Sequence, residues 1–215
     1  MVSLTTTDDI AVLTLGDDEN RFSLARLEEV EAALDRVVEA GSPLVTTGSG
    51  KFFSNGLDLE WAMAHPEAFG DYAKRVERLL ARFLTLPVPT VAAVNGHAFG
   101  AGAMLAIAHD WRLMRADRGF FCLPEVDIRI PFTPGMAALL QAKLTPRTAV
   151  DAMTTGARFG GPDAAAAGIV DGTADEDDLL GDAVARVAAL RGKDVATLEA
   201  IKATMFAGPV ALLQG

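Results

Sequence analysis

The sequence contains little cysteine, few basic residues and no long apolar run. Cys122 is the only cysteine among 215 residues, which excludes an intramolecular disulfide and leads us to expect a reducing, cytoplasmic setting. The first residues lack the basic flank and apolar run of a secretory signal. The longest apolar stretch, residues 90–108, is interrupted by Asn95 and His97 and is too short and too polar to span a bilayer. We therefore expect no membrane association.

The shortage of basic residues limits the partners of the protein. The formal net charge is −10 at pH 7, so the surface repels a phosphate backbone and nucleic acid is not expected as a partner. A small anionic ligand remains compatible with this charge, because backbone N–H groups at a helix start and one or two cations can hold it locally.

Several common catalytic motifs are also absent. Residues 48–51 superficially resemble a phosphate-binding loop, but Val45 replaces its first glycine and Phe52 replaces its magnesium-binding hydroxyl. Residues 100–102 match only two glycines of the dinucleotide fingerprint, and no G-x-S-x-G nucleophile turn occurs. The three histidines are not spaced as metal ligands: His65, His97 and His109. We expect no metal and no separate cofactor, so any chemistry must use carboxylates or backbone dipoles.

Hydrophobic periodicity predicts alternating strands and helices followed by a helical tail. Half of the residues are hydrophobic and fewer than a quarter are charged, which is typical of one ordered globular domain. Strands are predicted at residues 10–15, 44–47, 90–94, 111–114, 119–123 and 169–170. Helices are predicted from Ser23 to Gly41, from near Pro66 to Pro87, at 100–108, after Pro134, at 179–190, and at 196–206 with Gly208 and Pro209 as its stop. The class is therefore α/β with at least partly parallel sheets.

Two glycine-containing turns, residues 54–58 and 96–102, each precede a predicted helix. Backbone N–H groups in such turns are unpaired, so two converging turns can stabilise a developing oxyanion, as a thioester reaction requires. The alternative interpretation is that these glycines only permit tight turns.

Both turns and a third segment resemble the crotonase, or enoyl-CoA hydratase/isomerase, superfamily. KFFSNGLDL (51–59) resembles its first oxyanion loop, and PVPTVAAVNGHAFGAGAMLAIAHDWRLM (87–114) resembles its second. FFCLPEVDIRIPFTPGM (120–136) resembles its catalytic-glutamate segment. The order and spacing of the three segments match the family, and the resemblance extends from about Ile10 to Val170.

The resemblance implies a fold, a ligand and an assembly. The expected fold is an α/β, crotonase-like ββα spiral core over residues 1–160 with a helical C-terminal region over residues 161–215, which would serve oligomerisation and cover coenzyme A. The expected ligand is an acyl-CoA thioester, whose coenzyme A is part of the substrate. The expected assembly is a homotrimer or hexamer, with residues 179–190 as a candidate packing helix.

Carried over by position, the resemblance assigns the backbone N–H groups of Leu57 and Ala101 to the oxyanion hole and the carboxylate of Glu125 to proton transfer. Hydrogen bonds to the thioester oxygen stabilise an enolate and acidify the C2 proton, which one base then collects. Loss of one such donor typically costs about 2.7–4 kcal/mol of barrier, and a positioned base adds roughly 10²–10⁴-fold. Apolar neighbours are expected to raise the pKa of Glu125 by desolvation. The alternative is a structural glutamate at a strand end.

The resemblance also supplies candidates for binding the substrate. They are Ser54, Asn55, Gly56 and Gly100 for the acyl-CoA and Arg21 and Lys202 for the coenzyme's phosphates. For Arg21 and Lys202 a solvated surface charge is an equally good interpretation. Four further positions match structural or packing roles in the family: Asp58, Asp110, Asp127 and His97.

Two departures from the family pattern favour isomerisation. Hydratases of the family have a second glutamate at the position of Met104, and a thioether cannot activate water, so Glu125 alone suits a proton shuttle between C2 and C4. Dienoyl-CoA isomerases have a further acid at the position of Thr133. The pattern therefore resembles Δ3-to-Δ2 enoyl-CoA isomerases, and residues 125–128 (EVDI) look like their plant and peroxisomal-type branch.

Two other functions stay open at the level of sequence. One is another crotonase-type reaction, hydration or thioester hydrolysis, with a second carboxylate supplied from elsewhere in the chain. The other is an acyl-CoA-binding protein without turnover. A second carboxylate near the thioester carbons would favour the first, and an occluded pocket or a Glu125 turned away from it would favour the second.

Overall fold

Two sheets, both built mainly from parallel strands, form the frame of the fold. The computed structural model describes the whole chain from Met1 to Gly215. Its ten strands are β1 (Ser3–Thr7), β2 (Ile10–Thr14), β3 (Leu44–Thr47), β4 (Phe52–Ser54), β5 (Thr90–Val94), β6 (His97–Phe99), β7 (Trp111–Arg115), β8 (Phe121–Cys122), β9 (Arg158–Phe159) and β10 (Gly172–Ala174). The larger sheet has the order β1-β2-β3-β5-β7-β10, and the smaller has the order β4-β6-β8-β9.

Consecutive strands pass from one sheet to the other, which winds the chain into a spiral. β3, β5 and β7 lie in the larger sheet, and each is followed by a short strand, β4, β6 or β8, in the smaller one. The pairs formed by these neighbouring strands are parallel, whereas β1 pairs with β2 and β8 with β9 in the antiparallel sense. A helix follows each pair of strands, so the predicted ββα spiral is confirmed.

Eleven helices cover these sheets. They are α1 (Leu24–Ala40), α2 (Leu59–Ala64), α3 (Phe69–Leu84), α4 (Ala101–Ala108), α5 (Glu125–Ile128), α6 (Pro134–Lys143), α7 (Pro146–Thr155), α8 (Gly161–Ala166), α9 (Glu176–Ala188), α10 (Val195–Met205) and α11 (Ala207–Gln214). The predicted caps of α1 are confirmed: the Ser23 hydroxyl accepts from the Arg26 N–H, and Gly41 ends the helix in the left-handed conformation.

The hydrophobic core has two parts because side chains alternate along a strand. The larger part contains 45 buried residues from both sheets and from α1, α3, α4 and α6, and α4 is buried along its whole length. The smaller part lies on the opposite face of the six-stranded sheet, where Val45 and Val91 pack with Leu179, Ala183 and Val187 of α9. The glycine-rich start of α4 is thereby held in the centre of the molecule.

Two local predictions are wrong. Ile169 and Val170 form no strand, because both of their N–H groups donate to the Ala164 carbonyl and so complete the end of α8. The helix predicted over 196–206 is present as α10, but it is not the final helix. Gly208 and Pro209 lie in the first turn of α11, where a missing proline N–H costs nothing.

The C-terminal region, residues 161–215, adds elements to the same frame. β10 pairs with β7 in the larger sheet, and α11 packs against α3 and α6. No single helix is long and apolar enough to cross a bilayer, and the one pair that reaches this length together, α10 and α11, is bent by 79°.

Candidate active site

The first turn, residues 54–58, is held by buried polar groups. The side-chain amide of the fully buried Asn20 donates to two carbonyl oxygens of β4, both at 3.1 Å. The Ser54 hydroxyl donates to the Asn20 carbonyl at 2.7 Å and accepts from the Gly56 N–H at 3.1 Å. The next N–H along the chain, that of Leu57, has no acceptor within the protein. This turn therefore presents one free backbone donor.

The second turn leads from β6 into α4. The Gly100 N–H donates to the Cys122 carbonyl at 3.0 Å, which ties the turn to β8. Ala101 is the first residue of α4 and therefore has no intrahelical acceptor for its own N–H. The helix start has no side-chain cap either. The Ala101 N–H is thus the second donor that a ligand could use.

The two turns touch each other because glycine occupies the points of contact. A Cβ atom at Gly56 would lie 2.7 Å from the Phe99 carbonyl oxygen and 2.9 Å from the Ala101 nitrogen. A Cβ atom at Gly102 would lie 2.2 Å from the carbonyl oxygen of Ser54. Only residues without a side chain permit this approach. The segments that carry the Leu57 and Ala101 donors are consequently neighbours.

Glu125 lies beside the second turn and is almost completely buried. It is the first residue of α5, it is 8% exposed, and its Oε1 would lie 3.4 Å from a Cβ atom at Gly100. Its Oε2 has no hydrogen-bond partner in the chain. Burial raises the pKa of Glu125 from 4.5 to about 7, against a smaller opposing effect of a backbone hydrogen bond. Near neutral pH the group is therefore able both to accept and to return a proton.

The Glu125 cavity has apolar walls and a volume of about 460 Å³. Its other lining residues are Val126, Arg129, Ile130, Pro131, Phe132, Ala137 and Met153. A second cavity of about 480 Å³ shares residues 129–131 as a wall and is otherwise lined by Leu59, Ala62, Met63, Pro66 and Phe69. Cavities of this size and apolar character suit the tail of an acyl chain.

No second carboxylate lines the Glu125 cavity. Met104 is 1% exposed and belongs to the main core. Thr133 caps α6, and its hydroxyl also donates to Glu77, the other buried glutamate of the chain. Glu77 itself lies outside both cavities. A ligand in the Glu125 cavity therefore meets one carboxylate only.

Two of the predicted ligand contacts are corrected by the structure. Ser54 is fully buried, and its hydroxyl is used by the Asn20 carbonyl and the Gly56 N–H, so it shapes the turn without reaching a ligand. Lys202 is 4% exposed, and its ammonium group donates to Asp110 Oδ2 at 2.7 Å and to two carbonyl oxygens at 2.8 and 2.9 Å. All three of its N–H donors are occupied, so none is left for a coenzyme phosphate.

The remaining binding candidates lie at the two turns. The Arg21 side chain is 35% exposed next to the first turn and pairs with Glu19. Asn55 is half-buried there, and its N–H donates to the Glu19 carbonyl at 2.8 Å. Both polar backbone groups of Gly56 are occupied within the chain. Gly100 leaves the space in front of Glu125 open. The contacts of these four residues with a ligand stay predictions.

The structural roles predicted for Asp58, Asp110 and His97 are confirmed. Asp58 caps α2 by accepting from the Trp61 N–H at 3.2 Å. Asp110 accepts from both the N–H and the hydroxyl of Thr90 as well as from Lys202. The His97 ring packs among three phenylalanine rings with centroids 5.0 to 5.6 Å away, and desolvation followed by nearby cations lowers its pKa. A packed, neutral His97 fits no acid–base role.

Two parts of the site were missed at the level of sequence. No role is predicted for Asn20, although it adopts φ 50°, a left-handed conformation that asparagine tolerates better than most residues. Its position in the turn before α1 is the one signal that the sequence offers. Residues 129–131, the wall between the two cavities, carry no recognisable pattern, since their proximity to α2 and α3 arises only on folding.

Comparisons with known proteins identify the family of the chain. The family model described as enoyl-CoA hydratase/isomerase matches residues 5–210. Enoyl-CoA delta isomerase 3 of Arabidopsis thaliana is 40% identical over 183 residues, which cover 81% of this chain and 77% of that protein. Enoyl-CoA delta isomerase 2 of the same plant, a peroxisomal protein, is 39% identical over 190 residues with the same coverage of both chains.

Solved structures show the same architecture. The apo enoyl-CoA isomerase of Mycobacterium tuberculosis is 27% identical, with a TM-score of 0.91 and coverage of 99% of this chain and 94% of that one. Human mitochondrial delta3-delta2-enoyl-CoA isomerase is 23% identical and has the same fold, with a TM-score of 0.89 and coverage of 98% and 84%.

Proposed function

Because the chain belongs to the enoyl-CoA hydratase/isomerase family, we propose that it converts 3-enoyl-CoA thioesters into 2-enoyl-CoA thioesters, with Glu125 as the only proton carrier. The observation that carries this proposal is the isolation of Glu125, the single carboxylate in a cavity beside two turns with free backbone donors. The relatives named as enoyl-CoA delta isomerases support the same reaction.

The reaction follows from the positions of the donors and the base. The thioester oxygen accepts hydrogen bonds from the N–H groups of Leu57 and Ala101, and ionised Glu125 removes a proton from C2. The electron pair of that C–H bond spreads over a dienolate whose negative charge rests largely on the thioester oxygen. Glu125 then returns the proton to C4, which leaves the double bond between C2 and C3. No water, oxidant or further acid is consumed.

The pKa of about 7 suits Glu125 to both halves of this cycle. A carboxylate with an ordinary pKa near 4.5 would accept the C2 proton weakly and would hold it too briefly for delivery at C4. A base whose pKa lies near the working pH combines a useful ionised fraction with sufficient basicity. Desolvation in the apolar cavity is thus part of the catalytic arrangement.

The alternatives lose their structural support. Hydration and thioester hydrolysis need a group that activates water while another donates a proton, and the cavity contains no second carboxylate. A protein that only binds acyl-CoA would be expected to have an occluded pocket or a displaced glutamate. Here the cavity is open and Glu125 lines it.

The assembly and setting are part of the same proposal. The protein acts as a homotrimer or hexamer in the cytoplasm, on coenzyme A thioesters from the β-oxidation of fatty acids, without a further cofactor. Arg21 remains the candidate phosphate ligand, because its side chain is partly exposed beside the first turn. Leu180, 42% exposed on α9, supports this helix as a packing surface.

Steady-state conversion of a 3-enoyl-CoA to its 2-enoyl isomer tests the proposal, with water addition followed in the same samples. Glu125→Gln keeps the shape of the side chain and removes the base, so kcat should fall roughly 10²–10⁴-fold. Glu39→Gln, at an exposed position on α1, is the matched control and should retain full activity. Formation of 3-hydroxyacyl-CoA by the wild type, or full activity of Glu125→Gln, would contradict the single-glutamate shuttle.

A further inference from the structure

A cavity of about 470 Å³ lies between α10 and the segment that leads into β7. It shares no lining residue with either cavity at Glu125. Its apolar walls include Trp111, Leu190, Leu198, Ile201, Met205 and Phe206. This cavity is therefore separate from the site of the proposed reaction.

Five charged residues line this α10 cavity: Lys143, Lys193, Lys202, Asp110 and Asp194. Asp110 is paired with Lys202 at 2.7 Å. Asp194 is the N-cap of α10, where its carboxylate accepts from the Thr197 N–H at 2.8 Å. Both carboxylates are therefore already in use, although the lysines outnumber them.

Among the lysines of this cavity, Lys143 is largely buried and forms no ion pair with a carboxylate. Its ammonium donates to the carbonyl oxygens of His109 at 2.8 Å and of Asp110 at 3.5 Å and lies 5.5 Å from the centre of the Phe206 ring, and it makes no ion pair. Burial, followed by the nearby charge of Arg112, lowers the pKa of Lys143 to about 8, against smaller opposing effects of Asp110 and Asp171. An ammonium group that is largely buried and contacts no carboxylate is costly, and an anion placed beside it would offset the cost.

α10 leaves the apolar side of the cavity uncovered. Lys202 is the only buried residue of this helix, whereas Ile201 and Met205 at the cavity rim are 49% and 65% exposed. An occupant that supplied one negative charge and an apolar body would complement both features at once. Neither a simple inorganic anion nor a neutral hydrocarbon would do so.

We propose that the α10 cavity binds an amphiphile with a single carboxylate, such as a medium-chain fatty acid. The carboxylate pairs with the Lys143 ammonium, and the hydrocarbon tail lies against Leu198 and Ile201. One uncompensated cation matches one negative charge, and the apolar walls match the tail. This site does not depend on the proposed isomerase activity.

Isothermal titration of the wild-type protein with sodium decanoate, below its micellar concentration, tests the site. We expect saturable binding with one decanoate per chain and much weaker binding of decanol, which lacks the charge. Lys143→Met should weaken decanoate binding by about tenfold or more, since a charge-assisted pair is lost. Lys193→Met removes the same charge from the exposed rim and should change the affinity by no more than about twofold.

Ile201→Trp provides a second, independent variant, because it fills the cavity from an exposed position without touching the buried charges. It should abolish decanoate binding while leaving the thermal midpoint of the ligand-free protein unchanged. Equal binding of decanol and decanoate, or unchanged affinity in Lys143→Met, would overturn the proposal. The absence of decanoate binding to the wild type would also overturn it. A fall in the oligomeric mass of Ile201→Trp in that case would assign this face to a second copy of the chain.

Discussion

At the scale of single residues, Glu125 has a buried carboxylate oxygen to which no group of the chain donates a hydrogen bond. This oxygen is Oε2, and the residue as a whole is 8% exposed. Ionisation of such a group costs more free energy in the folded chain than in the unfolded chain, where water solvates the carboxylate. The desolvation that prepares the base for catalysis therefore opposes folding when the group is ionised.

The sign of this effect predicts how stability depends on pH. Because the folded pKa of about 7 lies above the ordinary 4.5, the folded state holds the proton more tightly, and stability falls as pH rises between these two values. Glu125→Gln stays neutral at every pH. The variant should therefore gain stability relative to the wild type between pH 5 and pH 8, by at most about 3 kcal/mol.

Urea unfolding of both proteins at several pH values measures this difference. Glu39→Gln serves as the control for loss of an exposed carboxylate, and its stability should run parallel to that of the wild type. If the free energies of unfolding of Glu125→Gln and the wild type changed with pH in parallel, burial would not raise the pKa of Glu125.

At the scale of elements, the site depends on how closely the turn after β4 approaches the start of α4. Gly56 has φ 77°, and the atoms opposite its missing Cβ are backbone atoms, which cannot rotate away. The free N–H of Leu57 follows directly in the chain. A change in the position of Gly56 is therefore transmitted to this donor.

Gly56→Ala should separate the two turns. Its Cβ would meet the Phe99 carbonyl at 2.7 Å, and a left-handed conformation costs a residue with a side chain about 1–2 kcal/mol. We expect a loss of stability of that order and a fall in kcat of roughly 10²-fold or more, as for loss of one oxyanion donor. Thermal unfolding and the isomerase assay measure the two effects.

Gly181→Ala is the matched control for this substitution. Gly181 lies within α9 with no atom near its missing Cβ, so alanine should stabilise the helix by about 0.5–1 kcal/mol and leave kcat unchanged. Wild-type kcat in Gly56→Ala would show that the approach of the two turns does not position the donors.

At the scale of the whole molecule, Lys202 joins the C-terminal region to the centre of the chain. Its ammonium contacts Asp110 and the carbonyl groups of Leu86 and Val88, residues that precede it by 92 to 116 positions. Asp110 in turn holds the start of β5 through Thr90. One buried ion pair therefore connects α10 with the strand that leads to the second turn.

Lys202→Met should destabilise the protein by up to about 3–5 kcal/mol, because it leaves Asp110, whose side chain is 17% exposed, without its counter-ion. The double variant Lys202→Met with Asp110→Asn should recover part of this loss, which urea unfolding would reveal. For molecules that remain folded, the KM for acyl-CoA should be unchanged. A large rise in KM with intact stability would instead support the phosphate contact that the buried ammonium argues against.

Local features of the fold were predictable because their causes lie within a few residues. The caps of α1 depend on Ser23 and Gly41 themselves, and the bounds of β5 follow from β-branched residues between Pro89 and Asn95. α11 escaped prediction because Gly208 and Pro209 are ordinary helix stops in sequence. Packing against α3 and α6 nevertheless provides a reason for the helix to resume.

The sequence by itself determined the alternation of strands and helices and the two glycine turns, and its resemblance to the family added the ββα order, the role of Glu125 and the absence of a second glutamate at Met104. These are properties of residue type and spacing, so they can be recognised without a structure. Tertiary structure alone decided that Ser54 and Lys202 are internal, that Asn20 holds the first turn and that Lys143 lacks a counter-ion. The physical reason is that burial and pairing depend on groups far apart in the chain, whose proximity no local pattern encodes.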